Sequence, residues 1–490
     1  MKTTKEKWKK IATIAISSGM SQALSFVFGL LLVRILPIAD YAVYRQGMLI
    51  VNTLCPFFCV LSPISLSYFF AKADTEEEKQ YYVKQTLFSL GLISIIGSFG
   101  VYFFRGAIGK SYNNQLLSSY MIYFAIILLV ESSTQFFAYY MVCINREKVL
   151  VGATVVFSLL KMLALVAAII IGHNYLKAFL LIYIFIEIVK GIFMFVYTLV
   201  LNNGIAFHLN RGRLKAQLVF SLPVFIMGII NALNTNLDKN IVAMLFSPEK
   251  YAIYENGAYQ IPFIGVLSSS IISVMLPDIA KKYKEGNRLA LDKIIREYRH
   301  VIKVSFGILS SIFLSILVFS KGIVVLLFSE KYLASLPIFR NYLFMLLLQS
   351  LNLGVLLTSA NKQKEIVKSG IIMIASNFTF LILISVLGQF ENLVFAPILA
   401  TILMNMCLLF SIKRIYKQTS IWNVIPISFI FKLILPDAAV CVIFAILANT
   451  ISLNVIFKTV ILGPVCFFVL LSMAFLIMKL EDKNKGGEEI

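Results

Sequence analysis

Tyr41-Ala-Val-Tyr44-Arg45-Gln46-Gly47 returns 210 residues later as Tyr251-Ala-Ile-Tyr254-Glu255-Asn256-Gly257. Both tyrosines, the alanine and the glycine hold their places, and Val43 gives way to the equally β-branched Ile253. Each copy follows an apolar segment of about 25 residues, opens a second one, and leads to a charged stretch beginning near Lys72 or Lys281. The chain reads as a duplicated membrane unit with a C-terminal extension.

Composition sets the class. With 59% apolar residues and a mean hydropathy of +0.88 over 490 residues, the chain is a polytopic membrane protein rather than a soluble fold. Helices satisfy their own backbone in lipid, so the expected fold class is all-α. Met1 to Lys10 is basic and leads into an apolar stretch too long for a signal-peptide core, without a small-residue cleavage pattern before Arg34; it reads as a retained first helix. The six cysteines (Cys55, Cys59, Cys143, Cys407, Cys441, Cys466) sit in or beside apolar segments, where packing is the expected role. Cys55 and Cys59 share a helix face with no histidine near, and His173, His208 and His300 are scattered, so no metal or cofactor is expected.

Fourteen apolar runs have the length of a membrane-crossing helix: 11–33, 45–71, 84–104, 117–143, 150–172, 176–201, 217–244, 252–280, 301–320, 333–359, 366–388, 392–413, 425–449 and 455–478. Charge tests this topology. With the N-terminus inside, 30 of the 44 basic residues fall in inner segments against ten outside, which supports two cytoplasmic termini. The net charge of +20 is then topology plus attraction to anionic lipid, and nucleic-acid binding is a poor reading. Six spans separate the two motif copies, so the halves enter the membrane in parallel. The expected organisation is an N-terminal six-helix lobe (1–201), a cytoplasmic linker (202–216), a C-terminal six-helix lobe (217–413), and a C-terminal helix pair with tail (414–490). Between Lys281 and Lys303, Leu291, Ile294, Ile295, Tyr298 and Ile302 share a face opposite basic residues, the pattern of an interfacial cytoplasmic helix.

Polar residues inside the spans mark candidate sites, because a charge at bilayer depth costs about 2.5–3.5 kcal/mol on insertion scales. In the first span Ser18, Ser21, Gln22 and Ser25 share a face; in the seventh Asn231, Asn234, Thr235 and Asp238 do. Equivalent helices carrying equivalent stripes fit a shared wet cavity, with interhelical hydrogen bonding as the alternative. In the first half Arg34, Arg45, Lys161 and Lys190 face only Glu131 and Glu187, whereas later spans hold Lys239 and Lys432 against Asp238, Glu255 and Asp437. Surplus cations in a low-dielectric cavity suit a phosphate or pyrophosphate. Glu187 and Lys190, three apart, can equally pair with each other, and Arg34 and Arg45 can snorkel to outer headgroups. Lys161 has no partner within a turn of its own helix.

The stretches LVRILPIADYAVY (32–44), AMLFSPEKYAIYENGAYQIP (243–262) and SVMLPDIAKKYKEGN (273–287), with spans arranged as six, six and two, resemble the polysaccharide-transporter (Wzx-type) flippases. Their superfamily, MOP, also contains the MATE drug exporters and the lipid II flippase MurJ. The resemblance covers essentially the whole chain. It implies two six-helix lobes forming a V around a cavity open alternately to each side, and no covalent chemistry. The substrate it implies is an undecaprenyl-pyrophosphate-linked oligosaccharide crossing from the inner to the outer leaflet of the bacterial plasma membrane. Carried over, it places Arg34, Arg45, Lys161, Lys190 and Lys239 in the cavity beside Asn231 and Asn234, with spans from residue 425 onward as a groove for the polyprenyl tail. It also implies a polymerase or chain-length regulator of the same pathway as partner. This chain departs from a purely cationic lumen, and Glu131, Glu187 or Asp238 is the expected site of coupling to H+ or Na+. Two rivals are weighed. A MATE-type antiporter usually stops at twelve spans, which the pair after residue 425 exceeds. A polymerase or ligase needs a long catalytic outer loop, whereas Arg105 to Ser118 is short and has no acid or histidine.

Overall fold

The computed structural model describes residues 22–61, 63–171, 175–202, 204, 210–261, 279, 282–283, 288–417, 420, 422 and 424–486. All regular elements among them are helical. Twelve helical stretches among them, some of them kinked or broken, are long and apolar enough to cross a membrane, and each coincides with one of the fourteen runs. The first half of run 11–33 and most of run 252–280 fall outside the described residues, as do Ser18, Ser21, His173, His208 and most of 273–287. The described part of the first forms an apolar helix, α1 (Gln22–Ile35).

Contacts divide the chain into two compact units, Met1–Ala252 and Ile253–Ile490. The first contains α1, α2 (Ile38–Phe58), α3 (Pro63–Lys72), α4 (Glu76–Phe103), α5 (Arg105–Ser111), α6 (Gln115–Cys143), α7 (Glu147–Ile171), α8 (Tyr175–Leu201) and α9 (Arg211–Leu245). Its centre is α6, which packs on α2, α3, α4, α5, α7 and α8. Helix α2 starts after Pro37, whose fixed φ and missing N–H suit a helix start, and carries Asp40 in its first turn, where the helix dipole favours a negative charge.

The repeated heptapeptide opens α2 and recurs in α10 (Pro248–Gly257), inside which the unit boundary falls. Its invariant positions are packing positions. Tyr41, Ala42, Tyr44 and Gly47 are buried, and a Cβ on Gly47 would lie 2.2 Å from the Phe124 ring of α6. Tyr44 meets Phe179 of α8 edge-on at 5.7 Å. In the second copy a Cβ on Gly257 would lie 2.5 Å from the Ile338 side chain and 3.1 Å from the Ser335 carbonyl, and Tyr254 meets Phe390 edge-on at 6.3 Å. Only glycine permits either approach.

Helix α9, read from sequence as the first span of the second half, packs on α2 and α3 within the first compact unit, Met1–Ala252. Buried amides hold it there. Near its start the Gln217 carbonyl accepts from Gln85 at 2.6 Å, while its amide donates to Ser65 and Thr86 at 3.2 and 2.7 Å. Near its end Asn240 accepts from the Tyr112 hydroxyl and donates to Thr53 at 3.0 Å. Gln46 extends this second cluster, donating to the Tyr112 carbonyl at 3.2 Å and accepting from Asn114 at 2.6 Å. In a low-dielectric interior each such group left unpaired costs about 1–3 kcal/mol, so these networks fix α9 against α2, α3 and α4.

The second unit contains α11 (Arg288–Val318), α12 (Ser320–Phe328), α13 (Leu336–Tyr342), α14 (Phe344–Gln349), α15 (Gly354–Ser359), α16 (Gln363–Leu387), α17 (Phe395–Ile415), α18 (Ile427–Thr450) and α19 (Val455–Gly486). The amphipathic stretch before residue 303 is not interfacial. Its described part runs on into the membrane span as one helix, and Leu291, Ile294, Ile295, Tyr298 and Ile302 are buried in a core with Leu356, Leu409 and Ile412. Its apolar face meets protein, not headgroups. Lys303, placed from sequence at the end of that cytoplasmic segment, is likewise buried: Glu481 of α19 binds it at 2.7 Å and Lys432 of α18 at 2.8 Å, fastening the last two helices to α11. The run 333–359 is not one helix. It breaks at 350–353 between α14 and α15, where Asn352 has φ +41°, a region asparagine enters more readily than most residues.

The glycine contacts yield a direct test. Gly47→Ala is expected to cost about 1–3 kcal/mol through overpacking against Phe124. Gly91→Ala in α4, where a Cβ meets nothing within 4 Å, should be neutral or stabilising. Thermal unfolding of the detergent-purified variants checks this, and equal midpoints would contradict the close-approach reading.

Candidate functional site

Within the first unit, α1, α2, α6, α7 and α8 enclose a cavity of about 360 Å³. Helical periodicity brings its polar lining together. Thr154, Ser158 and Lys161 recur at i, i+4 and i+7 along α7, and Tyr183 and Lys190 stand seven apart on α8, with Glu187 on the same face between them. Helix α2 contributes Tyr41, Tyr44, Arg45, Met48 and Asn52, and α6 contributes Glu131 and Thr134.

The charges form an alternating chain. The Glu187 carboxylate pairs through Oε1 with Lys161 of α7, and through Oε2 with Lys190 of its own helix at 2.6 Å. Lys190 in turn lies 4.0 Å from Glu131 of α6. Glu187 is only 1% exposed and Lys190 6%. The Glu131 side chain is 40% exposed. The Lys161 ammonium also sits 4.9 Å from the centre of the Tyr183 ring, a cation–π contact. Arg45, Lys161 and Lys190 against Glu131 and Glu187 leave one positive charge in excess.

The structure thus brings together five of the residues singled out from sequence. Lys161, without a partner on its own helix, finds one 26 positions away on the next; Glu187 and Lys190 do pair, but as part of a larger chain. Arg34, at the end of α1, is exposed and outside the cavity lining. On α9 Asn231 is exposed, Asn234 and Lys239 are half-buried and Asp238 is buried, and none of them lines this cavity. The matched polar stripes of the first and seventh spans therefore supply it with Ser25 alone. Sequence reasoning missed Tyr44, Tyr183, Asn52, Thr154 and Ser158. The α7 residues carried a usable signal, a polar stripe in phase with Lys161.

Chemically, the arrangement sets two lysines beside one buried carboxylate at the cavity wall. A buried carboxylate between two ammonium groups offsets part of the desolvation cost of all three. A diphosphate offers several oxygens to the same cations, with charge-assisted hydrogen bonds at least as strong.

Comparison with known proteins bears on the family and the fold. Residues 7–283, more than half of the chain, match the family described as polysaccharide biosynthesis protein. A 131-residue stretch is 24% identical to the capsular polysaccharide biosynthesis protein CapF of Staphylococcus aureus, spanning 27% of this chain and about a third (32%) of that relative. Among solved structures, the lipid II flippase MurJ in an inward closed conformation superposes with a TM-score of 0.68 at 15% identity, over 94% of this chain and 97% of its own. An inward-facing multidrug resistance MATE transporter of the MOP superfamily gives 0.65 at 14% identity, over 84% of this chain and all of its own. The fold is the one these multi-span transporters share.

Removing Glu187 as alanine leaves half-buried Lys161 without its carboxylate and buried Lys190 with only the 4.0 Å contact to Glu131, and is expected to destabilise the protein by about 3–5 kcal/mol. Glu131→Ala, at the exposed end of the chain, should cost under about 1 kcal/mol. Comparable losses in thermal unfolding would show that Glu187 is not the central counter-charge.

Proposed function

The chain belongs to the polysaccharide biosynthesis protein family, and from that premise we propose that it carries an undecaprenyl-pyrophosphate-linked oligosaccharide from the inner to the outer leaflet of the bacterial plasma membrane. The observation that supports this most directly is the Arg45, Lys161 and Lys190 cluster, which lines a cavity among membrane-spanning helices and carries excess positive charge. A pyrophosphate is the part of such a lipid that cannot enter hydrocarbon unaided, and it is the part these cations match. The tail, which needs no shielding, stays in lipid alongside α18 and α19, and both termini face the cytoplasm.

The carboxylates have a place in this cycle. Before the substrate arrives, Glu187 holds Lys161 and Lys190; on arrival, phosphate oxygens replace carboxylate oxygens as partners. Protonation of Glu131 or Glu187, or Na+ binding there, frees cations for the substrate and couples transport to an ion gradient. Access alternates between the two sides of the membrane while the site stays near mid-depth. A MATE-type antiporter is the second reading. The shared fold and the half-exposed Glu131 favour it.

The test is leaflet translocation in liposomes carrying a fluorescent polyprenyl-pyrophosphate sugar on one side. Lys161→Ala and Lys190→Ala each remove a charge-assisted bond worth about 1.5–3 kcal/mol, so the protein-dependent rate should fall about tenfold to a hundredfold. A protein that moves no lipid-linked sugar but exports a small cationic dye under a proton or sodium gradient would instead be the antiporter.

A further inference from the structure

We propose that the second compact unit binds neutral sugar residues of the carried glycan in a cavity at the break 350–353; this rests on the reading of the protein as a carrier of lipid-linked glycan. The cavity, of about 460 Å³, lies wholly within that unit and has no charged residue in its lining. Its polar groups are the carboxamides of Gln260, Gln349, Asn352 and Asn405 and the hydroxyls of Ser369 and Thr401, set among apolar side chains and the rings of Tyr259 and Tyr342.

Two non-helical segments border it. One is 259–261 after α10; the other is the break between α14 and α15. Irregular backbone at membrane depth is tolerated where it is buried in protein or lines a cavity, and broken helices of this kind form the substrate sites of many carriers. The break is secured on one side, since the Tyr298 hydroxyl donates to the Leu351 carbonyl. Asn352 is different. Its Nδ2 is buried and has no hydrogen-bond partner among the described residues. A buried amide left so is a donor awaiting an acceptor.

The ligand class follows from this chemistry. Each carboxamide carries both donor and acceptor, which matches a hydroxyl, itself both. Neutral amides give no preference to a diphosphate, which the cationic cavity of the first unit serves. A sugar ring presents a rim of hydroxyls and apolar C–H faces, and a mostly apolar pocket with a few placed amides and aromatic rings complements both. A polyprenyl tail would leave the buried Asn352 amide unpaired, at a cost a purely apolar pocket would avoid.

The experiment measures equilibrium binding to the full-length protein in nanodiscs with two probes: undecaprenyl pyrophosphate alone, and the lipid-linked oligosaccharide extracted from membranes of the source organism. The variants are Asn352→Gly, which keeps the positive φ accessible, and Asn405→Leu, nearly isosteric and inside the regular helix α17. Each should weaken binding of the oligosaccharide lipid about tenfold, the loss of roughly one well-made hydrogen bond, and leave the bare lipid within about twofold of wild type. Lys161→Ala should weaken both. Variants that affect both lipids alike, or neither, overturn the sugar site and leave the flippase reading standing. A wild-type protein that binds neither lipid overturns both. Asn405→Leu keeps the test decisive if Asn352→Gly fails to fold.

Discussion

A charge at hydrocarbon depth persists only beside its opposite, and in the first unit that condition is met chiefly by one carboxylate. Glu187 neutralises Lys161 across the α7–α8 interface and Lys190 on its own helix, and Lys190 reaches Glu131 on α6. Three helices are thereby set in rotation about their axes, because each must turn its charged face to the same point. The face that carries Lys161 also carries Ser158 and Thr154, and the face that carries Glu187 also carries Tyr183, so the cavity wall is a consequence of the pairing. Without the carboxylate, each lysine would bear the insertion cost of about 2.5–3.5 kcal/mol uncompensated. With it, the cations are affordable and their positions are defined.

How much of this is legible in the residues depends on how local the cause is. Span positions are local, set by runs of apolar side chains longer than the hydrocarbon is thick, and twelve described helices fall where the runs fall. The heptapeptide repeat is also legible, though not its meaning: only the approach of Phe124 to Gly47 and of Ile338 to Gly257 shows that glycine is there for lack of a Cβ. What a one-dimensional reading loses is partnership between helices. Lys161 and Glu187, or Lys303 and Glu481, are distant in sequence and meet through packing. The amphipathic face of residues 291–302 shows the same limit, since periodicity says that a face is apolar, not whether lipid headgroups or Leu356 and Ile412 will cover it. The break at 350–353 was hidden for a related reason: hydropathy registers side chains and is blind to backbone hydrogen bonding.

The two units carry the same heptapeptide but differ in what their cavities offer. One is lined by three cations and an acid, the other by amides and tyrosines with no charge. Duplication thus preserved the packing element, which any copy of the fold needs, while the linings diverged. This is the expected order of constraint. A glycine beneath an aromatic ring admits no substitute, whereas a cavity wall tolerates any residue its occupant can use.

That divergence bears on why carboxylates stand among the cations at all. A purely cationic cavity would bind a pyrophosphate tightly in every state it visits, and a carrier that binds equally well on both sides holds its cargo instead of releasing it. Transport requires differential affinity between states, and a ligand shifts an equilibrium only by that difference. For the proposed cargo, Glu187 would be a competitor already in place, so the affinity for an incoming anion would be the difference between two sets of charge-assisted bonds rather than the whole of one. A small movement of α7 relative to α8, or one proton on a carboxylate, then changes which partner the lysines prefer. On the proposed function, the acids are therefore not a departure from a phosphate site but the part of it that would let the phosphate leave.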